Sequence, residues 1–178
     1  MKNFPVTINN KEYWISRSVA VAGFIFCIDD GLRVLANKRG LACPDEIGKW
    51  NCPCGYLDYN ETLKEACARE IFEETNLKIS PDGLFYFGFD DTPVGKQNIS
   101  FRFWALNNKY AGQTVYAKGA EENEVEDVDW IFVGDLDKYE WAFNHDKLIA
   151  KIVVAYFRGY ISDDIVTKLK NLIIKENA

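Results

Sequence analysis

The sequence predicts a mixed α/β (α+β) domain with helices packed on sheet faces. Three observations carry that expectation: clusters of short strand-like runs, one unbroken helix between them, and two amphipathic helices after them. Val19–Ile28 is rich in β-branched and aromatic residues and reads as a strand. Asp29-Asp30-Gly31 supplies a turn, and Leu32–Ala36 resumes the pattern, so the two runs form a hairpin. Gly40 to Gly48 is a loop, and Trp50 to Leu57, interrupted by Pro53 and Gly55, is a strand end turning into a loop. Glu61 to Thr75 has no Gly or Pro and predicts a helix. Leu84–Phe89 and Ile99–Leu106 are further strands, joined through the turn-rich Asp90 to Gly95. Ala120 to Asp127 is acidic and loop-like, and Val128–Val133 is the next strand. Asn144 can cap a helix in which His145, Leu148, Ile149, Ile152, Val153 and Phe157 recur at helical spacing. A last helix from Ser162 places Ile165, Leu169, Leu172 and Ile173 on one side.

The 178 residues suit a single domain. Its core is expected at about residues 17–158, with a C-terminal helical extension over 159–178. The net charge of −6 argues against a general nucleic-acid binder, which would present excess Lys and Arg to phosphates. It leaves room for a phosphate-bearing small substrate, because bound cations can invert the local field. The cysteines are Cys27, Cys43, Cys52, Cys54 and Cys67, an odd set that favours reduced thiols in a cytoplasmic protein. Cys43, Cys52 and Cys54 lack CxxC spacing and a fourth soft ligand, so packing is expected of them before zinc. Val19–Ile28 lacks the basic start of a secretion signal and is too short to cross a bilayer, so no membrane partner is expected.

The chemistry concentrates in the central helix, which holds Glu61, Glu65, Arg69, Glu70, Glu73 and Glu74. Residues three or four apart share a side of a helix, so Glu70 neighbours both Glu73 and Glu74. Such like charges cost a few tenths of a kcal/mol per pair on an exposed helix, roughly, and a divalent cation turns that cost into attraction. Hard oxygen donors select Mg²⁺, Mn²⁺ or Ca²⁺ over zinc. On charge alone the bland alternative is a solvated face with Arg69 paired to Glu65 or Glu73. The single histidine, His145, excludes a multi-histidine metal site and reads as a capping or packing residue.

The spacing decides between the two. Five residues separate Gly55 from Glu61, and seven more lead to Arg69-Glu70-Ile71-Phe72-Glu73-Glu74, followed by Thr75-Asn76-Leu77. This closely resembles the Nudix box, and a chance match at a given start is on the order of one in ten million. Trp50-Asn51-Cys52-Pro53-Cys54-Gly55 also looks like the strand that leads into the box. Two positions depart from the pattern. Asn76 stands where the family has glycine, and Asn is the next-best residue for a left-handed helix cap. Cys54 stands at the first glycine of the usual Pro-Gly-Gly.

The resemblance implies the Nudix fold: a mixed β-sheet sandwiched between helices, here with extra C-terminal helices. It implies that Glu70, Glu73 and Glu74 hold Mg²⁺ or Mn²⁺, with the carbonyl of Gly55 a further ligand and Glu61 acting through water or orienting the cluster. Glu70 would also act as base, and Arg69 would hold a catalytic glutamate by a salt bridge. Some members of the family take the base from a later loop, for which Glu121, Glu122, Glu124 and Glu126 are candidates, Glu124 or Glu126 preferred. The implied activity is hydrolysis of a nucleoside diphosphate linked to another group. ADP-ribose-like substrates stand ahead of nucleoside triphosphates and dinucleoside polyphosphates, and a homodimer is expected. Trp141 to Leu148 looks like a segment of ADP-ribose-type members. Tyr86, Phe89, Phe101 and Phe103 could stack on a base, although core packing is the commoner job of such residues. Two other readings keep the fold: a nucleotide-sensing module without catalysis, which the intact glutamates oppose, and an isoprenoid-diphosphate isomerase, which would need a reactive thiol among Cys43, Cys52 and Cys54.

Overall fold

The computed structural model describes residues 3–92, 98–106, 115–116 and 122–174. Within these described residues nine strands and three α-helices run in the order β1 (Phe4–Ile8), β2 (Lys11–Ile15), β3 (Ser18–Ile28), β4 (Leu32–Arg39), β5 (Trp50–Asn51), β6 (Cys54–Tyr56), α1 (Leu63–Thr75), β7 (Phe85–Asp90), β8 (Asn98–Leu106), β9 (Val125–Phe132), α2 (His145–Tyr156) and α3 (Asp163–Ile174). The seven strands from β3 to β9 form one mixed sheet in the order β5-β4-β3-β8-β7, with β6 on β3 and β9 on β4. β3 and β8 run parallel, and the other pairs are antiparallel.

β3 is central and buried along most of its length because helices cover both of its faces. Its alternating side chains split two cores. Val21 and Ile25 pack with Leu35 against Ala66, Cys67 and Ile71 of α1. Phe24 and Phe26 pack with Val34 against Leu148, Ile149, Ile152 and Val153 of α2 and Leu169 of α3. Each fully buried Val, Leu, Ile or Phe among them contributes about 1.5–3 kcal/mol relative to exposure. The mixed sheet sandwiched between helices is therefore present, and the C-terminal helix shares the α2 core.

The structure corrects several sequence expectations. β1 and β2 form a separate hairpin that the strand pattern does not reveal, because Pro5 interrupts it. Its turn is Asn9-Asn10, both with positive φ, as a tight two-residue hairpin requires. β4 continues past Ala36 to Arg39, and β9 begins at Val125 rather than Val128. The helix starts at Leu63, not Glu61: Thr62 is its N-cap and forms a capping box with Glu65. Asn76 ends it in the left-handed conformation expected of the glycine substitute, φ 61°. Asn144 does precede α2, but its side chain makes no cap; its Oδ1 accepts from Lys147 Nζ at 3.0 Å. Residues 93–95, Ala120 and Glu121 lie outside the described residues.

Candidate active site

The site is built where the start of β3, strand β6 and helix α1 meet. Gly23 has no side chain, which lets Ile71 and Cys67 of α1 close directly onto β3. β6 pairs with β3 through Ala20↔Tyr56, Val21↔Gly55 and Ala22↔Cys54. Gly55 is thus fixed above α1, and a Cβ there would overlap the Glu70 carboxylate. Glycine is needed here for the close approach.

Arg69 organises the acids. Its Nε and Nη2 donate to the two Glu61 oxygens at 3.0 and 2.7 Å. Nη1 donates to Glu70 Oε1 at 2.8 Å and to Glu73 Oε2 at 3.0 Å, and Nη2 also reaches the Tyr56 carbonyl at 2.8 Å. Glu61, although outside the helix, also accepts from the Asp58 amide at 2.8 Å. Arg69 and these hydrogen bonds hold the Glu61 carboxyl below its ordinary range. Glu65 is committed to the cap and stands apart from this network.

Glu70 and Glu74 behave differently. Burial pushes the Glu70 carboxyl up to about 7, opposed by Arg69 and reinforced by Glu73 and Glu124. Glu74 is only 5% exposed and is shifted strongly upward, chiefly by burial and then by Glu70. Its Oε2 accepts from the Cys54 amide at 3.1 Å, which ties the end of α1 to β6. Glu124 adds to the negative field at both carboxyls. Its backbone carbonyl accepts from Gly40 N–H at 2.7 Å and from Cys43 Sγ at 3.2 Å, pinning the start of β9 beside the end of β4. Glu126, the other preferred acid, pairs instead with Lys38 at 2.6 Å on the exposed side, and Glu122 is exposed.

A cavity of about 610 Å³ opens beside this cluster, lined by Gly55, Glu74 and Glu124 among others. It exists because the side chains of β3 on the α2 face change from Phe24 and Phe26 to Ala22 and Ala20. Ser100 and Arg102 of β8 pair with those alanines and extend the floor. Two ion pairs flank it: Arg39 with Asp45 at 2.8 Å and Arg102 with Asp90 at 3.1 Å. Sequence reasoning missed Arg39, Asp45, Asp90 and Arg102, which no local motif marks, whereas Phe143 and His145, which also line the cavity, fall in the Trp141 to Leu148 segment singled out above. The small residues Ala20 and Ala22 within an apolar strand were the available signal. Glu61, Arg69, Glu70 and Glu73 lie on the α1 side of β6 and do not line the cavity. Tyr86, Phe89, Phe101 and Phe103 also lie outside it and pack on one another across β7 and β8.

His145 is buried, contacts the rings of Phe24 and Phe143, and accepts the Cys52 amide on Nδ1 at 3.0 Å. It is a packing residue at the start of α2 that also borders the cavity. All five cysteines are free thiols. Burial pushes Cys43, Cys52 and Cys54 upward, so the reactive thiolate is disfavoured at each.

The donor set around Gly55 consists of carboxylate and carbonyl oxygens, the chemistry that suits Mg²⁺ or Mn²⁺. Among the described residues no three His, Cys, Asp or Glu side chains form a ready cage. The carboxylates are instead held by Arg69 or buried at a cost that a divalent cation would relieve. On these grounds the residues fit such an ion.

Residues 17–152 match the NUDIX domain family, and the chain belongs to that family. It is similar to a MutT-like protein of Streptomyces ambofaciens, 39% identical over 67 residues, which cover 38% of this chain and 39% of that protein. It is also similar to the phosphatase NudJ of Escherichia coli K12, 53% identical over 32 residues, 18% of this chain and 21% of that one. The chain thus spans less than half the length of these curated relatives. The NUDIX domain of Shewanella oneidensis NrtR complexed with ADP ribose aligns with a TM-score of 0.63 at 21% identity, covering 76% of this chain and 85% of that one. A bifunctional NMN adenylyltransferase/ADP ribose pyrophosphatase of Francisella tularensis, complexed with AMP and a Mn ion, aligns at 0.61 with 22% identity, covering 77% and 41%. At these identities the two structures show the shared fold.

Proposed function

We propose that this protein is a metal-dependent hydrolase that cleaves the phosphoanhydride bond of a nucleoside diphosphate linked to a second moiety. ADP-ribose-like substrates stand first, and nucleoside triphosphates second. One observation carries the reading: Glu70, Glu74 and Glu124 crowd their charges at the β6 edge, two of them opening onto a nucleotide-sized cavity. Ligands named for structurally similar proteins, ADP ribose and AMP with Mn, support the substrate and cofactor classes.

In this reading Glu70, Glu73, Glu74 and the Gly55 carbonyl hold Mg²⁺ or Mn²⁺, with Glu61 orienting the cluster through Arg69. The ion, when bound, supplies Lewis-acid polarisation of phosphate oxygens and an acidified water. Arg69 fixes the rotamers of Glu70 and Glu73. Glu70 takes the proton of the attacking water, and Glu124, which faces the cavity, is the alternative base. The raised thiols oppose the isomerase reading, because that chemistry needs a reactive cysteine. The chain works as one domain with its C-terminal helix, as a homodimer, in a reducing compartment such as the cytoplasm. Among the described residues no helix is long and apolar enough to cross a membrane.

A substrate panel with Mg²⁺ and Mn²⁺, followed by product analysis, tests the proposal. The expected result is release of a nucleoside monophosphate from ADP-ribose or a similar diphosphate, abolished by EDTA. Hydrolysis that survives EDTA, or no hydrolysis of any diphosphate, overturns it.

A further inference from the structure

The metal chemistry assigns no role to the end of the cavity farthest from β6, where β8 and β7 meet. On one side of β8, Phe101, Phe103 and Ala105 pack in the α1 core. On the other, Trp104 and Leu106 pack in the α2 core, whereas Asn98, Ser100 and Arg102 line the cavity. Side chains alternate along a strand, so a polar strip continues the very side that is apolar farther along. β7 reaches the same side through a bulge. Phe85 stacks on Trp104 on the α2 side, while Phe89 meets Phe101 on the α1 side. In a regular strand two residues four apart share a side. Here the pairing with β8 shifts register between Tyr86 and Gly88, and Gly88 has φ 146°, a conformation left to glycine. The inserted residue reverses the alternation. Asp90 therefore pairs with Ser100 and lines the cavity instead of facing α1.

This end is held in place from two directions. Asp90 Oδ2 accepts from Arg102 Nη2 at 3.1 Å, and Oδ1 accepts from the Thr92 amide at 3.0 Å. Arg17, just before β3, donates from Nη1 to the Asp91 carbonyl at 2.6 Å. Its Nη2 donates to the Thr92 carbonyl at 3.2 Å and also to the Asn98 carbonyl. One guanidinium thus ties the end of β7 and the start of β8 to β3. The rings that border the cavity, Tyr56, Phe143 and His145, come instead from β6 and the start of α2. Tyr56, Ala20, Ser100 and Asp90 form one row across β6, β3, β8 and β7, and Cys54, Ala22 and Arg102 form the next. With strands about 4.8 Å apart, Arg102 stands about 10 Å and Asp90 about 14 Å from β6.

We propose that Asp90 and Arg102 select the second moiety of the substrate, an uncharged glycosyl group whose hydroxyls donate to Asp90 and accept from Arg102, and that Arg17 positions the pair. The claim rests on the hydrolase reading and narrows its substrate class. A sugar hydroxyl both donates and accepts, which a carboxylate beside a guanidinium requires of its ligand. Arg102 commits Nη2 to Asp90, and its remaining N–H groups serve the hydroxyl oxygens. A terminal phosphate offers acceptors alone and sets its charge against Asp90, so nucleoside triphosphates are disfavoured at this end. A second nucleobase calls for a ring to stack on, and the rings lie toward β6 and α2. The span from β6 leaves room for a diphosphate and then a sugar. Arg17 is a positioning residue in this scheme.

Titration calorimetry with Mg²⁺ and two non-hydrolysable probes, α,β-methylene-ADP-ribose and α,β-methylene-ADP, tests this without turnover. The probes differ only in the terminal ribose. Wild type is expected to bind the ribose-bearing probe at least about tenfold more tightly, the range of a hydrogen bond to a charged group. Asp90→Asn keeps the shape and should remove most of that preference, raising Kd for the ribose-bearing probe and lowering it for α,β-methylene-ADP. Arg102→Met should raise Kd for the ribose-bearing probe, and it decides if Asp90→Asn fails to fold. Equal affinity of wild type for the two probes, binding of neither, or an unchanged Kd for the ribose-bearing probe in both variants overturns the proposal. Arg17→Ala should weaken the ribose-bearing probe and leave α,β-methylene-ADP unchanged; an equal loss for both probes, or none, removes Arg17 from the scheme. A preference that depends on Asp90, without hydrolysis of any diphosphate, leaves the selection standing and sinks the catalytic reading. Hydrolysis by a wild type that shows no preference does the reverse.

Discussion

Raising the pH from about 5 to about 8 in EDTA is expected to lower the melting temperature of this protein, and Mg²⁺ to restore it. Glu70 is pushed from 4.5 to about 7, chiefly by burial, with Glu73 and Glu124 adding to the shift and Arg69 opposing it. Glu74 moves in the same direction. A carboxyl whose folded pKa lies above its unfolded value binds more protons in the folded state. Its contribution is therefore intact below about pH 4.5 and is lost as pH rises through about 7. Glu61, Glu65 and Asp137 are shifted downward, so their contributions change only at more acidic pH. At about 1.4 kcal/mol per unit, ionising Glu70 in the fold costs about 3 kcal/mol. For a chain of this length that is about 6–12 °C in melting temperature. Calorimetric or fluorescence melts of wild type and Glu70→Gln, with and without Mg²⁺, make the comparison. The difference between the two proteins cancels every group they share. The variant should lose most of the fall in EDTA, and Mg²⁺ should stabilise wild type more at the higher pH, where protons no longer compete for the carboxylates. A flat or rising melting temperature in EDTA, or an identical slope in Glu70→Gln, would refute the reasoning.

Three further outcomes are expected. Glu73→Gln and Glu74→Gln should each lower turnover at least about a hundredfold while circular dichroism shows a folded protein, since each removes one charged oxygen donor; unchanged turnover in both removes them from the mechanism. Gly55→Ala should abolish most activity, because the added methyl displaces the Glu70 carboxylate, and thermal melts should show a folded but destabilised protein; wild-type turnover would mean that this contact has no part in catalysis. Asn76→Gly should stabilise by up to about 1 kcal/mol and Asn76→Ala destabilise by about as much, both read by denaturant titration, because the cap sits at φ 61°.

The difference between what was readable in the sequence and what was not follows the range of the interactions. The Gly55-to-Leu77 segment was readable because its geometry is local. Helical periodicity alone puts Glu70 beside Glu73 and Glu74, and an αL cap needs Gly or Asn wherever it occurs. Strands β3 and β4 around the Asp29-Asp30-Gly31 turn and the helices α2 and α3 were readable for the same reason, from period and turn chemistry. Helix start and strand ends shifted because Thr62 caps the helix in a capping box with Glu65, which leaves Glu61 outside it, and because β4 and β9 prolong each other across the sheet. The cavity had no such local signature. Arg39 meets Asp45 across a loop and Phe143 across most of the chain. Arg102 meets Asp90 across a β-ladder with shifted register. Each of these contacts depends on where a strand ends or slips, which single-sequence patterns determine least well. The residues proposed to hold the metal therefore come mostly from α1 and the short segment before it, while the cavity wall is assembled from β3, β4 and the loop after it, β7, β8 and the Phe143 turn among others. Substrate preference can thus change through β4, β8 and the Phe143 turn while the glutamate helix stays the same, and for that reason the box alone assigns a reaction class and not a substrate.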